Sequence, residues 1–271
     1  MFTSLQIETF KVEGYLVVPG FWNEAETKAL QAEIELLKQT GKLRNVATEG
    51  DGTTESAVSA NLQLCPMSPH SDLLRALPFA PKVIEAISEL IGDPVTLHLD
   101  QVFLKPGKHG VGTNWHQDNA YFQIDDPLKG CALWTAVHDA TVANGTLRVI
   151  PGSHKTPFAH ERDPQSNHHI RCYPPEESAV PIELKAGGVI FFAYGVAHAT
   201  GGNTTDSERA GAAYHFLNGS VIGEGYFGAD AEGSMRHPIL SGDNAEDGSK
   251  SYGAKIAGTW EQEVQTSNHR K

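Results

Sequence analysis

Cysteine, positive charge and long apolar segments are all scarce in this sequence. Its three cysteines, Cys65, Cys131 and Cys172, are widely spaced and form no C-x-x-C pair. That pattern argues against a disulfide framework and predicts reduced thiols. The 21 basic side chains are outnumbered by 33 acidic ones, and the formal net charge is −12. Such a surface repels nucleic acids and anionic membranes, so we expect neither as a partner.

The sequence also offers no sign of membrane insertion or export. No run approaches the roughly 18 apolar residues that a membrane-spanning helix requires. The N-terminal segment "MFTSLQIETFKVEGYLVV" carries acidic residues and no long apolar core, unlike a secretory signal peptide. We therefore expect a cytoplasmic protein, a monomer or homodimer, whose partner is a small molecule.

The N-terminal third of the chain carries the pattern of α-helices. The segment "NEAETKALQAEIELLKQTGK" opens with Asn23 as a candidate N-cap and Glu26 three residues later, which is the spacing of a capping box. The segment "SDLLRALPFAPKVIEAISELIG" predicts one or two further helices, interrupted at Pro78 and Pro81 and closed by Gly92.

From about residue 94 the pattern changes to short β-rich runs. These are "VTLHLDQVFLK", "CALWTAVHDA", "TLRVIPGS", "VPIELKAGGVIFFA" and "AGAAYHFLNGSVI", divided by Gly, Pro, Asn and Asp. Several strands at such spacing favour a barrel or a sandwich. We expect one domain over 1–271, mainly β with flanking helices: a helical third at 1–93, a β core at about 94–228 and a loop-rich extension at 229–271.

The segment "NWHQDNAYF" contains a candidate metal site. If it is extended, His116 and Asp118 point to the same face. One imidazole and one carboxylate make two thirds of the facial triad that holds non-haem Fe(II). His198, which follows the apolar run "GGVIFFAYG", is the candidate third ligand. Because H-x-D tripeptides are common and the chain has 13 histidines, a polar pair on a loop remains an alternative.

Further residues raise the specificity of this pattern. Arg209 heads the strand-like run "RAGAAYHF" and can bind a carboxylate through two hydrogen bonds, and Thr200 can add a hydroxyl. Arg209 could instead form a surface ion pair. Trp134, in the run "CALWTAVHDA", could be an ordinary core residue or could lie beside the site.

We expect the other notable polar residues to have structural or solvent-exposed positions. We expect hydrogen-bonded interior or rim positions for His98, His138 and His215, and a solvated loop for His168 and His169. The turn-forming segment at 144–154 should have a structural role.

The order of these motifs resembles the phytanoyl-CoA dioxygenase family. It runs from H-x-D through N-G-x-L-x-x-I-P-G-S-H to H-x-x-x-x-N and arginine, and the similarity covers about residues 8–217. The resemblance implies a double-stranded β-helix (a cupin-like jelly roll) with Fe(II) and 2-oxoglutarate as cofactor and co-substrate. The ligands it implies are His116, Asp118 and His198 for the metal, and Arg209, Thr200, Trp134 and Gln101 for 2-oxoglutarate. Lys105 could serve the co-substrate or an anionic substrate.

The sequence departs from the family at one point. Some members place a lysine near the co-substrate where this chain has Asn61, Leu62 and Gln63. Which residue completes the co-substrate pocket at this point is therefore left open by the sequence.

The resemblance implies a hydroxylase that uses O₂ and releases succinate and CO₂, with ascorbate helpful in vitro. Asp118 argues against halogenation, since halogenating relatives lack this carboxylate; desaturation, cyclisation and epoxidation remain open. We expect a small metabolite or natural-product intermediate, contacted by Asn114, Asn119, Tyr121 and Phe122. The alternatives are an acyl-CoA hydroxylase, although no basic cluster suits the CoA phosphates, a zinc hydrolase and a non-catalytic metal-binding jelly roll.

Overall fold

The structure is a computed structural model that describes residues 1–221, 238–243, 245, 250–251 and 254–270. The helices are α1 (Ser4–Glu13), α2 (Glu24–Gln39), α3 (Asp72–Ala76), α4 (Pro81–Ile91), α5 (Asn119–Phe122) and α6 (Trp260–His269). The strands are β1 (Tyr15–Val18), β2 (Arg44–Asn45), β3 (Leu62–Leu64), β4 (Val95–Lys105), β5 (Thr113–His116), β6 (Gly130–Ala136), β7 (Leu147–Val149), β8 (Glu161–Arg162), β9 (Ile170–Arg171), β10 (Val180–Pro181), β11 (Val189–Ala193), β12 (His198–Thr200), β13 (Arg209–Asn218), β14 (Lys250–Ser251) and β15 (Ala254–Lys255).

The N-terminal helices follow the predicted signals. The capping box of α2 is formed, because Glu26 N donates to Asn23 Oδ1 at 3.0 Å and Asn23 N donates to Glu26 Oε2 at 2.8 Å. Pro81 is the first residue of α4, where its missing N–H costs nothing. The helix α1 was not expected from the sequence. It is capped by Thr3 and buries only Phe10, so it lacks the apolar periodicity on which the prediction relied.

Two antiparallel sheets form the body of the fold. The large sheet has the order β1-β11-β6-β13-β4-β3-β2, and the small sheet has the order β10-β7-β12-β5. Both sheets contribute to the wall of one cavity, as expected for a jelly roll. The central strands β6, β11 and β13 are buried along their whole length, which explains why their sequences read as continuous apolar runs rather than alternating ones.

The C-terminal extension, expected to be loop-rich, contains one helix that the sequence analysis did not identify. Helix α6 packs against α2: the rings of Trp22 and Trp260 lie 5.1 Å apart, and Trp260 Nε1 donates to Glu26 Oε1 at 2.8 Å. A capping box of Thr259 and Gln262 was the available signal for this helix. The boundary placed at about residue 228 lies outside the described residues and stays a prediction. No helix in the described part of the chain has the length and apolarity to cross a membrane.

Candidate active site

His116, Asp118 and His198 come together as one cluster. His116 ends β5 and His198 begins β12, and the two residues are direct cross-strand partners. Each histidine Nε2 lies 3.7 Å from Asp118 Oδ1. One ligand atom from each residue lies within 4.8 Å of the others.

Asp118 reaches the cluster through a turn rather than along a strand. Its backbone is helical (φ −58°, ψ −33°) and it directly precedes α5. An extended segment through residue 118, on which the predicted convergence depended, is therefore not formed, although the three side chains do converge. The turn is held by Tyr121 N and Phe122 N, which donate to the Asp118 carbonyl at 2.9 and 3.2 Å.

The imidazole orientations leave both Nε2 atoms free to bind a metal. His116 Nδ1 donates to Asn114 O and His198 Nδ1 donates to Val196 O, each at 2.9 Å. A carbonyl oxygen only accepts, so each Nδ1 carries the proton and each Nε2 carries a lone pair. Such hydrogen bonds hold metal-binding histidines in the correct tautomer and orientation.

Burial sets the protonation of the cluster. It lowers the pKa of His116 and of His198 to about 4, and it raises the pKa of Asp118 to about 6. At neutral pH the cluster is therefore two neutral imidazoles facing a carboxylate, with no proton between the facing atoms. A divalent cation satisfies all three lone pairs, and the donor set fits Fe(II) and also Zn²⁺.

The opposite end of the cavity carries positive charge. Arg209 and Lys105 are direct cross-strand partners on β13 and β4, and each is only 1% exposed. Like charges placed opposite one another in a sheet repel. Burial, followed by the charge of Arg209, lowers the pKa of Lys105 well below its usual value, and burial lowers the pKa of Arg209 to about 10.

The polar contacts of this end leave donors available. Lys105 Nζ donates to Thr200 Oγ1 at 2.6 Å and to Gly201 O at 2.5 Å, and Arg209 donates to Gly145 O. Thr200 Oγ1 also accepts from Thr113 N at 2.9 Å, so its own hydroxyl proton can be donated to a ligand. Arg209 Nε has no hydrogen-bond partner in the described structure. These donors make an anion site.

A cavity of about 290 Å³ joins the two ends. Between the ends, Trp134, Gln101, Phe103, Leu147 and Phe192 contribute to its wall. The Arg209 guanidinium lies 5.5 Å from the centroid of the Trp134 ring. Burial excludes the surface ion pair considered for Arg209, and Trp134 is part of the wall rather than only core.

The sequence comparison decides the family. A sequence model of phytanoyl-CoA dioxygenase matches residues 10–211. The chain belongs to the phytanoyl-CoA dioxygenase family. Membership confirms the predicted jelly roll and the predicted enzyme class, an oxygenase dependent on iron and 2-oxoglutarate.

Relatives in this family have named activities. An ectoine dioxygenase of Bordetella parapertussis is 23% identical over 224 residues, which cover 76% of this chain and 72% of the relative. A probable phytanoyl-CoA dioxygenase of Caenorhabditis elegans is 30% identical over 152 residues, covering 51% of this chain and 48% of the relative.

Solved structures agree on the fold. EctD from S. alaskensis with 2-oxoglutarate and 5-hydroxyectoine superposes with a TM-score of 0.66 at 23% identity, covering 96% of this chain and 89% of that chain. The epimerase SnoN in complex with Fe³⁺, alpha ketoglutarate and nogalamycin RO superposes with a TM-score of 0.68 at 22% identity. The match covers 89% of this chain and 96% of that chain. At these identities the likeness shows the fold alone.

The four expected substrate contacts divide into two pairs. Tyr121 and Phe122 line the cavity, whereas Asn114 and Asn119 are not among its wall residues. Asn114 is exposed and its Nδ2 donates to both carboxylate oxygens of Asp163, at 3.1 and 3.0 Å. Asn119 closes a local turn through two 3.0 Å hydrogen bonds with the backbone of Ile124. The amides of both asparagines are therefore engaged by the protein itself, and a substrate contact by either one stays a prediction.

Sequence reasoning missed a histidine wall. His168 and His169 line the cavity, and His169 is buried with its Nε2 3.3 Å from Gln63 Nε2. The expectation that this pair is solvated is wrong for His169. Nothing in the polar run "QSNHHIR" signals the contact, because it depends on β9 folding back beside β5.

His215 also lies at the metal end. Its Nε2 is 3.2 Å from Gln101 Nε2, and its Nδ1 is 3.5 Å from Asp118 Oδ2. The Gln101 amide nitrogen can only donate, so His215 Nε2 accepts and Nδ1 carries the proton that faces Asp118. A register shift between His215 and Phe216 interrupts the pairing of β13 with β4 at this point, as bulges beside active sites often do. His138, as expected, is hydrogen-bonded: its Nδ1 accepts from Ala210 N at 3.1 Å.

Proposed function

We propose that the enzyme hydroxylates an unactivated carbon of a small metabolite, with Fe(II) on His116, Asp118 and His198. The observation that carries the proposal is that the two ends of the cavity favour ligands of opposite charge. One end presents a carboxylate and two lone pairs, which call for a cation, and the other presents buried cations, which call for an anion. A dicarboxylate that binds the metal with one end and the cations with the other satisfies both.

The anion end suits the distal carboxylate of the co-substrate 2-oxoglutarate. Arg209 would bind it through its planar guanidinium, Thr200 would donate its hydroxyl proton, and Lys105 would hold the Thr200 oxygen in place. The charge of the incoming carboxylate removes the repulsion between Lys105 and Arg209, so binding also relieves an unfavourable contact.

When bound, Fe(II) supplies the reactivity that couples oxidative decarboxylation of the co-substrate by O₂ to oxidation of a substrate C–H bond, with release of succinate and CO₂. The chain contributes position and exclusion of water. Phe103, Leu147 and Phe192 give the wall an apolar surface, which strengthens the polar interactions that it encloses. Asp118 occupies the position that a halide would need, which favours hydroxylation.

A small substrate is favoured over an acyl-CoA. The relatives named ectoine dioxygenases act, by their name, on a small molecule. The cavity of about 290 Å³ lies at the lower limit of the volumes typical of ligand sites, roughly 300–1,000 Å³, which favours a small substrate. Among the described residues the cavity wall has three cationic side chains, Arg44, Lys105 and Arg209, and two of them are committed to 2-oxoglutarate.

The test is turnover of the co-substrate. The purified enzyme with Fe(II), ascorbate and O₂ should convert 2-oxoglutarate to succinate when given its substrate. Conversion of a substrate without O₂ would point to the zinc hydrolase alternative. Metal binding without any formation of succinate would point to a non-catalytic jelly roll. Either result would reject the proposal.

A further inference from the structure

Arg44 is the cationic wall residue that neither the metal nor 2-oxoglutarate uses. It lies on β2 at the edge of the large sheet, paired with Gln63, which is itself paired with Phe103. Residues directly opposite one another in neighbouring strands project to the same face. Arg44, Gln63 and Phe103 therefore form one row across the sheet; Arg44 and Phe103 both line the cavity, and Arg44 is the exposed member of the row.

The Arg44 guanidinium has no anionic partner in the described part of the chain. None of the ion pairs there includes it, although most other arginines are paired with a carboxylate or a backbone oxygen. Asp118 is the one acidic side chain among the described wall residues, and it belongs to the metal cluster. An unpaired arginine on a cavity wall, in a chain of net charge −12, marks a local reversal of charge that attracts anions.

The charges of the loaded cavity leave Arg44 unbalanced. The two negative charges of the co-substrate match the two positive charges of Fe(II), and Asp118 offsets one of Lys105 and Arg209, so these groups carry no surplus negative charge that could balance Arg44. The neighbouring His168 and His169 add no charge at neutral pH, because burial lowers the pKa of His168 to about 4 and the pKa of His169 well below its usual value. Positive charge therefore remains on the substrate side of the cavity.

We propose that Arg44 binds an anionic group of the substrate, so that the substrates of this enzyme are small organic carboxylates or phosphomonoesters. The inference rests on the proposed function and specifies its substrate class. The anion sits at the mouth on Arg44, and the rest of the molecule extends past His169 and Tyr121 toward His116. The parallel rings of His169 and His116, 6.5 Å between centroids, flank that path.

The experiment compares charged and neutral molecules of the same shape. The holoenzyme, with Fe(II) and saturating 2-oxoglutarate, is offered matched pairs: carboxylates with their primary amides, and phosphomonoesters with their free alcohols. Succinate formation in air and the shift of melting temperature without O₂ are the two readouts. We expect anionic members to bind and turn over and their neutral partners to fail, with the two pair types distinguishing carboxylate from phosphate.

Variants then locate the effect. Arg44→Gln should raise the KM for the active anion by about 10- to 100-fold, the value of one charge-assisted hydrogen bond, and leave the KM for 2-oxoglutarate unchanged. Arg44→Lys should recover part of the loss. Arg171→Gln is the matched control, because Arg171 is paired with Glu161 at 2.8 Å and is not a wall residue; it should behave as the parent enzyme.

Four results would overturn the inference: neutral partners that work as well as the anions, no anion that binds or turns over, a raised KM for 2-oxoglutarate in Arg44→Gln, or an equal loss in Arg171→Gln. Failure of the proposed function looks different. In that case 2-oxoglutarate neither raises the melting temperature of the parent enzyme nor yields succinate with any compound.

Discussion

The metal end and the anion end of the cavity are built by different kinds of local structure. His116, Asp118 and His198 lie at strand ends and in a turn, and the ligands closest in sequence are two residues apart. Lys105 and Arg209 instead face each other through the pairing of the two longest strands, β4 and β13. The first cluster depends on a short motif and one strand contact, whereas the second depends on the register of a whole sheet.

The two ends also have opposite electrostatic demands. The metal end gathers lone pairs with no proton between them, and the anion end gathers N–H donors, since Asp118 at the metal end is the one acidic side chain among the described wall residues. Each arrangement is unfavourable alone and favourable with its ligand. If this comparison is correct, a change at one end should alter binding of one ligand and spare the other.

The largest expected effect comes from removing a metal ligand. His116→Ala should lower metal affinity by more than about 100-fold, because loss of a residue that merely supports a ligand already costs 10- to 100-fold. Turnover should disappear with the metal. Metal content after dialysis and succinate formation measure the two losses, with the exposed His109→Ala as the matched control. A His116→Ala protein that retains metal would remove this residue from the site.

Arg209→Leu should produce the complementary defect. Losing both hydrogen bonds of the guanidinium should raise the KM for 2-oxoglutarate by about 100-fold or more, while metal affinity stays near that of the parent enzyme. Separate titrations with the co-substrate and with metal test the independence of the two ends. An equal fall in metal affinity would mean that the ends are coupled through folding and that the comparison fails.

His215 offers a weaker test within the metal end. His215→Phe keeps the size of the ring but removes the Nδ1 proton that lies 3.5 Å from Asp118 Oδ2. We expect a loss of metal affinity of about tenfold. His215→Asn, which restores a donor close to the same place, should recover most of it. Equal affinities for the Phe and Asn variants would show that the ring only fills space.

The same contrast explains what could be predicted from sequence. The H-x-D motif and the apolar run before His198 were enough to predict the metal ligands, even though Asp118 lies in a turn. Arg209 was predictable from its place at the head of a strand. Its pairing with Lys105 was not, since only the register of β13 on β4 creates that contact. Arg44 and His169 depend on the short strands β2 and β9, whose sequences have no distinctive periodicity.

The ends should also differ in pH dependence, an effect that needs no substitution. At the metal end, burial raises the pKa of Asp118 to about 6, so below that value the metal must displace a proton. Metal affinity should rise by about tenfold per pH unit up to pH 6 and then level off. Between about pH 5 and pH 6 the histidines, with pKa values of about 4, are mostly neutral and add little to this slope.

At the anion end the sign reverses. Burial and Arg209 lower the pKa of Lys105, and a dicarboxylate binds best while Lys105 keeps its proton. Affinity for 2-oxoglutarate should therefore fall as pH rises through that lowered pKa, and Lys105→Met should remove the slope and leave the metal profile unchanged. Equilibrium titrations with metal and with 2-oxoglutarate across the pH range measure both profiles. Parallel slopes at the two ends would mean that one shared group controls both, which two separately built sites do not allow.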